Sequence, residues 1–202
     1  MANVFAQWAT YFGGSCDEEF EQNNYLAQFP PHLQGGCCMT LCCCWTAANG
    51  NMEAFKSFVN SGVGKAQVRG YQGLATKASG GAAALGGYFI GYAAEILKIF
   101  RIQFKGEVAM GKAARPSEVV AFVANRPAFY QLHFQASDGS SGHAVAFKNT
   151  GDSLMFFDPN YGTAVFSGPQ AKQQLTDMAQ QVLGGTFYPN LTGRWECMRV
   201  YR

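Results

Sequence analysis

Apolar side chains recur at helical spacing in the first half of the chain. Phe5, Trp8 and Phe12 lie three and four residues apart, which predicts a short amphipathic helix that ends at Gly13. The acidic run 17–19 is typical of the first turn of a second helix. Four more segments have apolar residues on one helical face or turn signals at their ends, and we expect helices in them: 38–48, 52–60, 64–80 and the end of 81–98.

The period changes from helical to alternating in the second half. Phe100, Ile102 and Phe104 alternate with polar residues, which predicts a half-buried strand. Five later segments have the short apolar runs of strands: 129–134, 143–147, 154–157, 164–166 and 197–201. A helix that Pro116 opens and a second over 167–183 interrupt them. Helices followed by an antiparallel sheet with a late helix indicate an α+β fold, in one domain over 1–202.

Composition and charge narrow the class of protein. The chain has 202 residues, of which 48% are hydrophobic and 14% charged, so it can bury a sizeable core. The formal net charge of +2 and the lack of any Lys/Arg-rich run argue against nucleic acid as a partner. No secretory signal peptide is recognisable at the start of the sequence.

One uncharged stretch has the composition of a short membrane segment. Residues 78–94 carry no charge and include a GxxxG pattern between Gly87 and Gly91. The stretch is short for a bilayer span, and Gly and Ala make up much of it. We therefore expect a buried segment there and no stable membrane insertion.

Five of the seven cysteines fall between Cys37 and Cys44. Adjacent cysteines form a poor disulfide framework, so we expect the protein to act in a reducing compartment. Gly35-Gly36 before the cluster predicts a tight turn that leads into a helix, where the N-terminal end of the helix favours a thiolate. The alternative is core packing, since Cys38, Cys42 and Trp45 share one helical face.

The same region contains residues from which a zinc site could be drawn, but they do not have the spacing of a structural zinc site. The set would comprise His32, Cys37, Cys38 and Cys42. Structural zinc sites usually combine two separated ligand pairs, and the sequence offers no second pair. We expect neither a metal nor a cofactor.

His143 and Asp158 are predicted to meet at one end of the sheet. His143 begins a strand directly after a flexible turn, and Asp158 ends the next strand. If the two strands are antiparallel neighbours, the start of one lies beside the end of the other. A carboxylate beside an imidazole fixes its tautomer and supports the imidazolium. The alternatives are a solvent-facing strand start for His143 and a backbone-capping turn residue for Asp158.

Three blocks of residues together resemble a known family. They are Gly36-x-Cys38-x-x-Leu41-x-x-x-Trp45, Gly142-His143-Ala144-Val145-Ala146 and Phe156-Phe157-Asp158-Pro159-Asn160-Tyr161-Gly162. They look like the motifs of the YopT/AvrPphB-type cysteine protease effectors, which are papain-like enzymes that bacteria deliver into other cells. The resemblance implies a papain-like fold, in which a helical half that carries the cysteine packs against a sheet half that carries His and Asp.

The resemblance also implies roles for individual residues. Cys38 would be the nucleophile, His143 the general base and Asp158 the acid that orients it. Gln34 is the nearest amide side chain for an oxyanion hole. Cys44 and Cys37 compete with Cys38, because Cys44-Trp45 resembles the active-site pair of papain.

The function that the resemblance implies is a secreted bacterial effector or toxin. It would hydrolyse a peptide bond of a protein in the cytosol of a target cell, after export by a secretion system that needs no cleaved signal. A cognate immunity protein or chaperone fits such a role. Two alternatives stay open at this stage: deamidation, transglutamination or another acyl transfer by the same triad, and a catalytically inert binding module.

Overall fold

The computed structural model describes most of the chain. The described residues are 3–18, 20–30, 37–70, 90–113, 115–138 and 141–202. Gln34, His32 and residues 78–89 of the uncharged stretch lie outside these ranges. Within them, no helix combines the length and the apolar character that crossing a bilayer requires.

The first half of the chain contains short helices and the first strand of the sheet. In chain order they are α1 (Val4–Tyr11), β1 (Ser15–Glu18), α2 (Gln22–Leu26), α3 (Cys38–Ala47), α4 (Met52–Asn60), α5 (62–70) and α6 (Ile90–Ile99). Asparagine side chains cap two of them: Asn3 Oδ1 accepts the Phe5 N–H at 3.0 Å, and Asn51 Oδ1 accepts the Ala54 N–H at 2.8 Å.

The second half supplies six more strands and two helices. They follow as β2 (Gln103–Gly111), α7 (Pro116–Ala124), β3 (Ala128–Gln135), β4 (Gly142–Asn149), β5 (Ser153–Asp158), β6 (Gly162–Ser167), α8 (Ala171–Gln181) and β7 (Trp195–Tyr201). A π-helical turn, Val182–Thr186, extends α8.

The described strands form one sheet of seven, in the order β1-β6-β5-β4-β3-β7-β2. Every neighbouring pair is antiparallel. β3, β4 and β5 occupy the centre, and most of their residues are buried. The α+β prediction is therefore confirmed.

Helices cover both faces of the sheet. On one face, α3, α4 and α6 build a core with the side chains of β3 to β5 and β7 that point toward them. On the other face, α1, α7 and α8 build a second core with the alternate side chains of the same central strands. Strands buried on both faces explain why their sequences are continuously apolar rather than alternating.

Two predicted elements differ from the structure. The expected strand at Phe100 starts later, because α6 runs through Ile99 and the chain reverses at Arg101, whose φ is 57°. β2 then continues to Gly111, as the outer strand beside β7. The acidic run around Asp17 belongs to the edge strand β1, because Ser15 and Cys16 pair with β6, and not to a helix.

Candidate active site

Cys38 is the first residue of α3 and is half-buried. The residues that follow it are fully buried, and Trp45 stacks on Phe157 of β5 with ring centroids 5.2 Å apart and nearly parallel planes. This contact holds α3 against the sheet. The thiol therefore sits where the helix begins, at the positive end of its dipole.

His143 and Asp158 lie side by side, as the sequence predicts. β4 and β5 are antiparallel with Ala146 opposite Phe157, so the start of β4 meets the end of β5. His143 Nε2 is 3.0 Å from Asp158 Oδ1, and their side chains are 6% and 0% exposed. Asp158 Oδ1 also accepts the Asn160 N–H at 2.9 Å, so the carboxylate caps its own turn as well.

The thiol of Cys38 interacts with the imidazole of His143. Burial raises the pKa of Cys38, but the hydrogen bond and charge of His143 and the Ala144 and Met39 backbones outweigh it, and the net pKa is lowered. Asp158 and Tyr188 both contact Nε2 of His143. Nδ1 is therefore the ring nitrogen left to face the sulfur.

The charge of His143 is stabilised from both sides. Burial lowers the pKa of its imidazole, but the Asp158 carboxylate and the Cys38 thiolate more than compensate and raise it to about 10. The lowered pKa of the thiol and the raised pKa of the imidazole both favour a thiolate–imidazolium pair over the neutral pair. Nearby His133 stays neutral, because burial and the charge of His143 lower its pKa to about 3.

The other cysteines of the cluster have the opposite chemistry. Burial is the main cause that raises the pKa of Cys37, Cys42 and Cys44, and it raises that of Cys43 to about 12. Cys44 lies inside α3, away from its N-terminus, and is 2% exposed. The core-packing interpretation therefore fits these four residues, and Cys38 is the one that the structure sets beside an imidazole.

Three further polar residues contact the site, and the sequence motifs do not predict a role for any of them. The Tyr188 hydroxyl lies 2.9 Å from His143 Nε2 and donates to Asp158 Oδ2 at 2.7 Å. Asn160 Nδ2 donates to that hydroxyl at 3.0 Å, and Gln22 Nε2 donates to Asn160 Oδ1 at 3.1 Å. Asn160 belongs to the third motif block, where turn chemistry is sufficient to explain it. Tyr188 and Gln22 lie far from every block along the sequence.

The comparisons with known proteins concern the family and the fold. The family described as Yersinia/Haemophilus virulence surface antigen, a peptidase family, matches residues 111–191. That range includes His143, Asp158 and Tyr188 but not Cys38. No curated protein matches the chain in sequence.

Of three solved structures that match, the first shares the fold of this chain. The Pseudomonas avirulence protein AvrPphB superposes with a TM-score of 0.65 at 17% identity, over 88% of this chain and 100% of that one. PatoxP, a cysteine protease-like domain of the Photorhabdus asymbiotica toxin PaTox, gives a TM-score of 0.49 at 10% identity, over 98% of this chain and 57% of that one. The YopT domain of the Pasteurella multocida PfhB2 toxin gives 0.33 at 15%, over 93% and 92%.

The fold is thus papain-like, with the helix that carries Cys38 packed against an antiparallel sheet that carries His143 and Asp158. The family match adds a sequence relationship to this likeness of fold. Together they confirm the resemblance to the YopT/AvrPphB-type cysteine proteases.

Proposed function

We propose that the protein is a cysteine endopeptidase in which Cys38 is the nucleophile, His143 the general base and acid, and Asp158 the residue that orients His143. The observation that carries the proposal is the arrangement of the three side chains: the Cys38 thiol at the start of α3 contacts the imidazole of His143, whose Nε2 lies 3.0 Å from Asp158 Oδ1. This contact lowers the pKa of Cys38 despite its burial. Burial raises the pKa of Cys37, which precedes the helix, and of Cys42 and Cys44 within it, so the activation is specific to one thiol of this cluster.

The site's groups support each step of peptide hydrolysis. The Cys38 thiolate attacks the carbonyl carbon of the peptide bond, and the imidazolium of His143 gives its proton to the leaving amine. His143 then takes a proton from the water that attacks the thioester. As the carboxylic acid leaves, the sulfur departs as a thiolate and that proton stays on His143, which restores the starting pair. The Nε2–H of His143 donates a hydrogen bond to Asp158 throughout the reaction, and this bond holds the ring toward the sulfur.

The resemblance also supports a place of action. We propose that the protein is a bacterial effector or toxin, exported by a secretion system, that cleaves a protein in the cytosol of a target cell. Gln34 is proposed as a second oxyanion donor in addition to the N–H of Cys38. A cognate immunity protein or chaperone would then protect the cell that makes the toxin.

The test compares the intact protein with Cys38→Ala and, as a matched control, Cys44→Ala. Each is expressed in bacterial and in yeast cytosol, and new protein N-termini are labelled and mapped in the affected cells. We expect toxicity and new N-termini with the intact protein and with Cys44→Ala, and neither with Cys38→Ala. Equal toxicity of all three proteins would contradict the proposal.

The same samples separate peptide hydrolysis from other thiol chemistry. A target that gains about 1 Da without a new N-terminus would show deamidation by the same triad, and a target cross-linked to an amine would show transglutamination. An intact protein that changes no target while Cys38 reacts with iodoacetamide at an ordinary rate would indicate a binding module.

A further inference from the structure

The imidazole–carboxylate pair carries a third member, the phenol of Tyr188. Its oxygen lies 2.9 Å from His143 Nε2, and it donates its proton to Asp158 Oδ2 at 2.7 Å. Its ring stacks on the imidazole with centroids 4.6 Å apart and planes 29° apart. Phe134 packs edge-on against both rings, which fixes them from a second side.

The protons at this junction can be assigned completely. The single Nε2 proton of His143 points to Asp158 Oδ1 and to the Tyr188 oxygen, and the phenol proton goes to Asp158 Oδ2. The phenol oxygen also accepts from Asn160 Nδ2, so its donor and acceptor capacity is used. This arrangement requires the proton on Nε2 and resists rotation of the ring.

The hydrogen bonds continue from Tyr188 to the helix that carries the thiol. Asn160 Oδ1 accepts from Gln22 Nε2 at 3.1 Å, and Gln22 Oε1 accepts from the N–H of Cys37 at 3.1 Å. The backbone N–H of Gln22 also donates to the carbonyl of Pro159 at 2.7 Å. Gln22 is buried, and Cys37 directly precedes Cys38.

We propose that Tyr188 is a positioning residue that holds the His143 ring toward Cys38, and that Asn160 and Gln22 extend this support to the start of α3. The inference rests on the function proposed above. Residues from three distant parts of the chain would then set the separation between the sulfur and the imidazole.

The test uses Tyr188→Phe, which removes the hydroxyl and keeps the ring that stacks on His143. The probe is iodoacetamide, and its rate of reaction at Cys38 is followed from pH 5 to 9 by mass spectrometry of the modified peptide. A loosely held imidazole stabilises the thiolate less. We therefore expect the midpoint of the rate profile to move up by about one pH unit, which is a tenfold change in the equilibrium between thiol and thiolate.

Tyr201→Phe is the matched control. Its hydroxyl also donates to a carboxylate, Glu107 Oε1 at 2.8 Å, but it lies on β7 beside the edge strand β2. A general effect of losing such a hydrogen bond would appear in both variants. We expect the pH profile of Tyr201→Phe to match that of the intact protein.

Gln22→Met cuts the hydrogen-bonded chain at its other end and leaves every contact of Tyr188 in place. We expect a smaller shift of the profile in the same direction. This variant also decides the matter if Tyr188→Phe gives no native near-ultraviolet circular dichroism. An unchanged profile in a folded Tyr188→Phe, or an unchanged profile in Gln22→Met when Tyr188→Phe does not fold, overturns the proposal.

The intact protein separates this inference from the proposed function. If its own rate of alkylation rises steeply with pH, as for an ordinary thiol, the thiolate–imidazolium pair is absent and the proposed function fails. If its rate is flat with pH and Tyr188→Phe does not change it, the proposed function stands and the positioning role fails.

Discussion

The local chemistry of Cys38 differs from that of every cysteine near it in the sequence. If Cys38 and His143 form the proposed thiolate–imidazolium pair, we expect iodoacetamide to modify Cys38 at nearly the same rate at pH 6 and pH 8. The contact with His143 lowers the pKa of the thiol and so favours this outcome. A thiol of ordinary pKa loses nearly two orders of magnitude in thiolate between those values, by roughly the ratio that a pKa of about 8.5 gives. Peptide mapping by mass spectrometry measures the rate at each pH.

His143→Ala provides the contrast. Without the imidazole, burial remains as the main influence on the thiol, so its pKa rises and the rate at pH 6 falls. A profile of His143→Ala that stays flat would show that the helix and not the imidazole activates Cys38.

Asp158→Asn tests the support of the imidazolium. The carboxylate is the main cause that raises the pKa of His143 to about 10, and the amide keeps its shape without its charge. We expect the upper limit of the flat region of the pH profile to move to lower pH, because the imidazolium of His143 then loses its proton at lower pH and leaves an unpaired thiolate. Asp152→Asn is a suitable control, since Asp152 is exposed in the turn between β4 and β5. An unchanged upper limit in Asp158→Asn would contradict the assignment.

Among the elements, α3 packs on the sheet mainly through Trp45. Trp45 is fully buried, stacks on Phe157 and meets Phe129 edge-on at 6.0 Å. We expect Trp45→Ala to lower the free energy of unfolding by about 3–5 kcal/mol, through lost burial and the cavity left behind. Urea denaturation followed by circular dichroism measures the change.

Asn51→Ala is the comparison within the same half of the molecule. The Asn51 side chain caps α4 by accepting the Ala54 N–H, and the substitution removes this cap. We expect it to lower the free energy of unfolding by about 1 kcal/mol. We also expect Trp45→Ala to slow the alkylation of Cys38 at pH 6, because α3 loses its contact with β5, whereas Asn51→Ala should not. Equal effects of the two variants would contradict the seating role of Trp45.

Some parts of the fold and of the candidate site can be predicted from the sequence, and others cannot. The register of β4 and β5 follows from two short apolar runs, and that was sufficient to predict the meeting of His143 and Asp158. The choice among five cysteines required knowing which sulfur faces the imidazole, and helical spacing alone does not decide it. Tyr188 and Gln22 were not predictable, because side-chain hydrogen bonds between distant segments depend on how those segments pack. The start of β2 was misjudged because Phe100 and Ile102 are apolar for a different reason, the end of α6 packing on the core.

For the molecule as a whole, two cores share one sheet. Phe55 lies in the core under α3 and α4, and Leu175 lies in the core under α8; both are fully buried. We expect Phe55→Ala to lower the free energy of unfolding by about 3–5 kcal/mol and Leu175→Ala by about 2–5 kcal/mol. Because the central strands belong to both cores, each variant should unfold in a single transition, as one domain does.

Two probes of the same urea titration check this prediction. Far-ultraviolet circular dichroism follows the whole chain, and the exposure of Cys42, Cys43 and Cys44 to a thiol reagent follows the helical side alone. Coincident transitions are expected in both variants. A separate earlier transition in Phe55→Ala would show that the helical half unfolds independently of the sheet.

The division of the site between α3 and the sheet has a consequence for the chain before it folds. Cys38 acquires its low pKa from His143, more than a hundred residues later in the sequence, so the two meet only in the assembled structure. An extended chain carries seven thiols of ordinary reactivity. If the chain passes between compartments in an unfolded state, Cys38 therefore has only ordinary thiol reactivity during transport. Its activation begins in the compartment where the chain refolds.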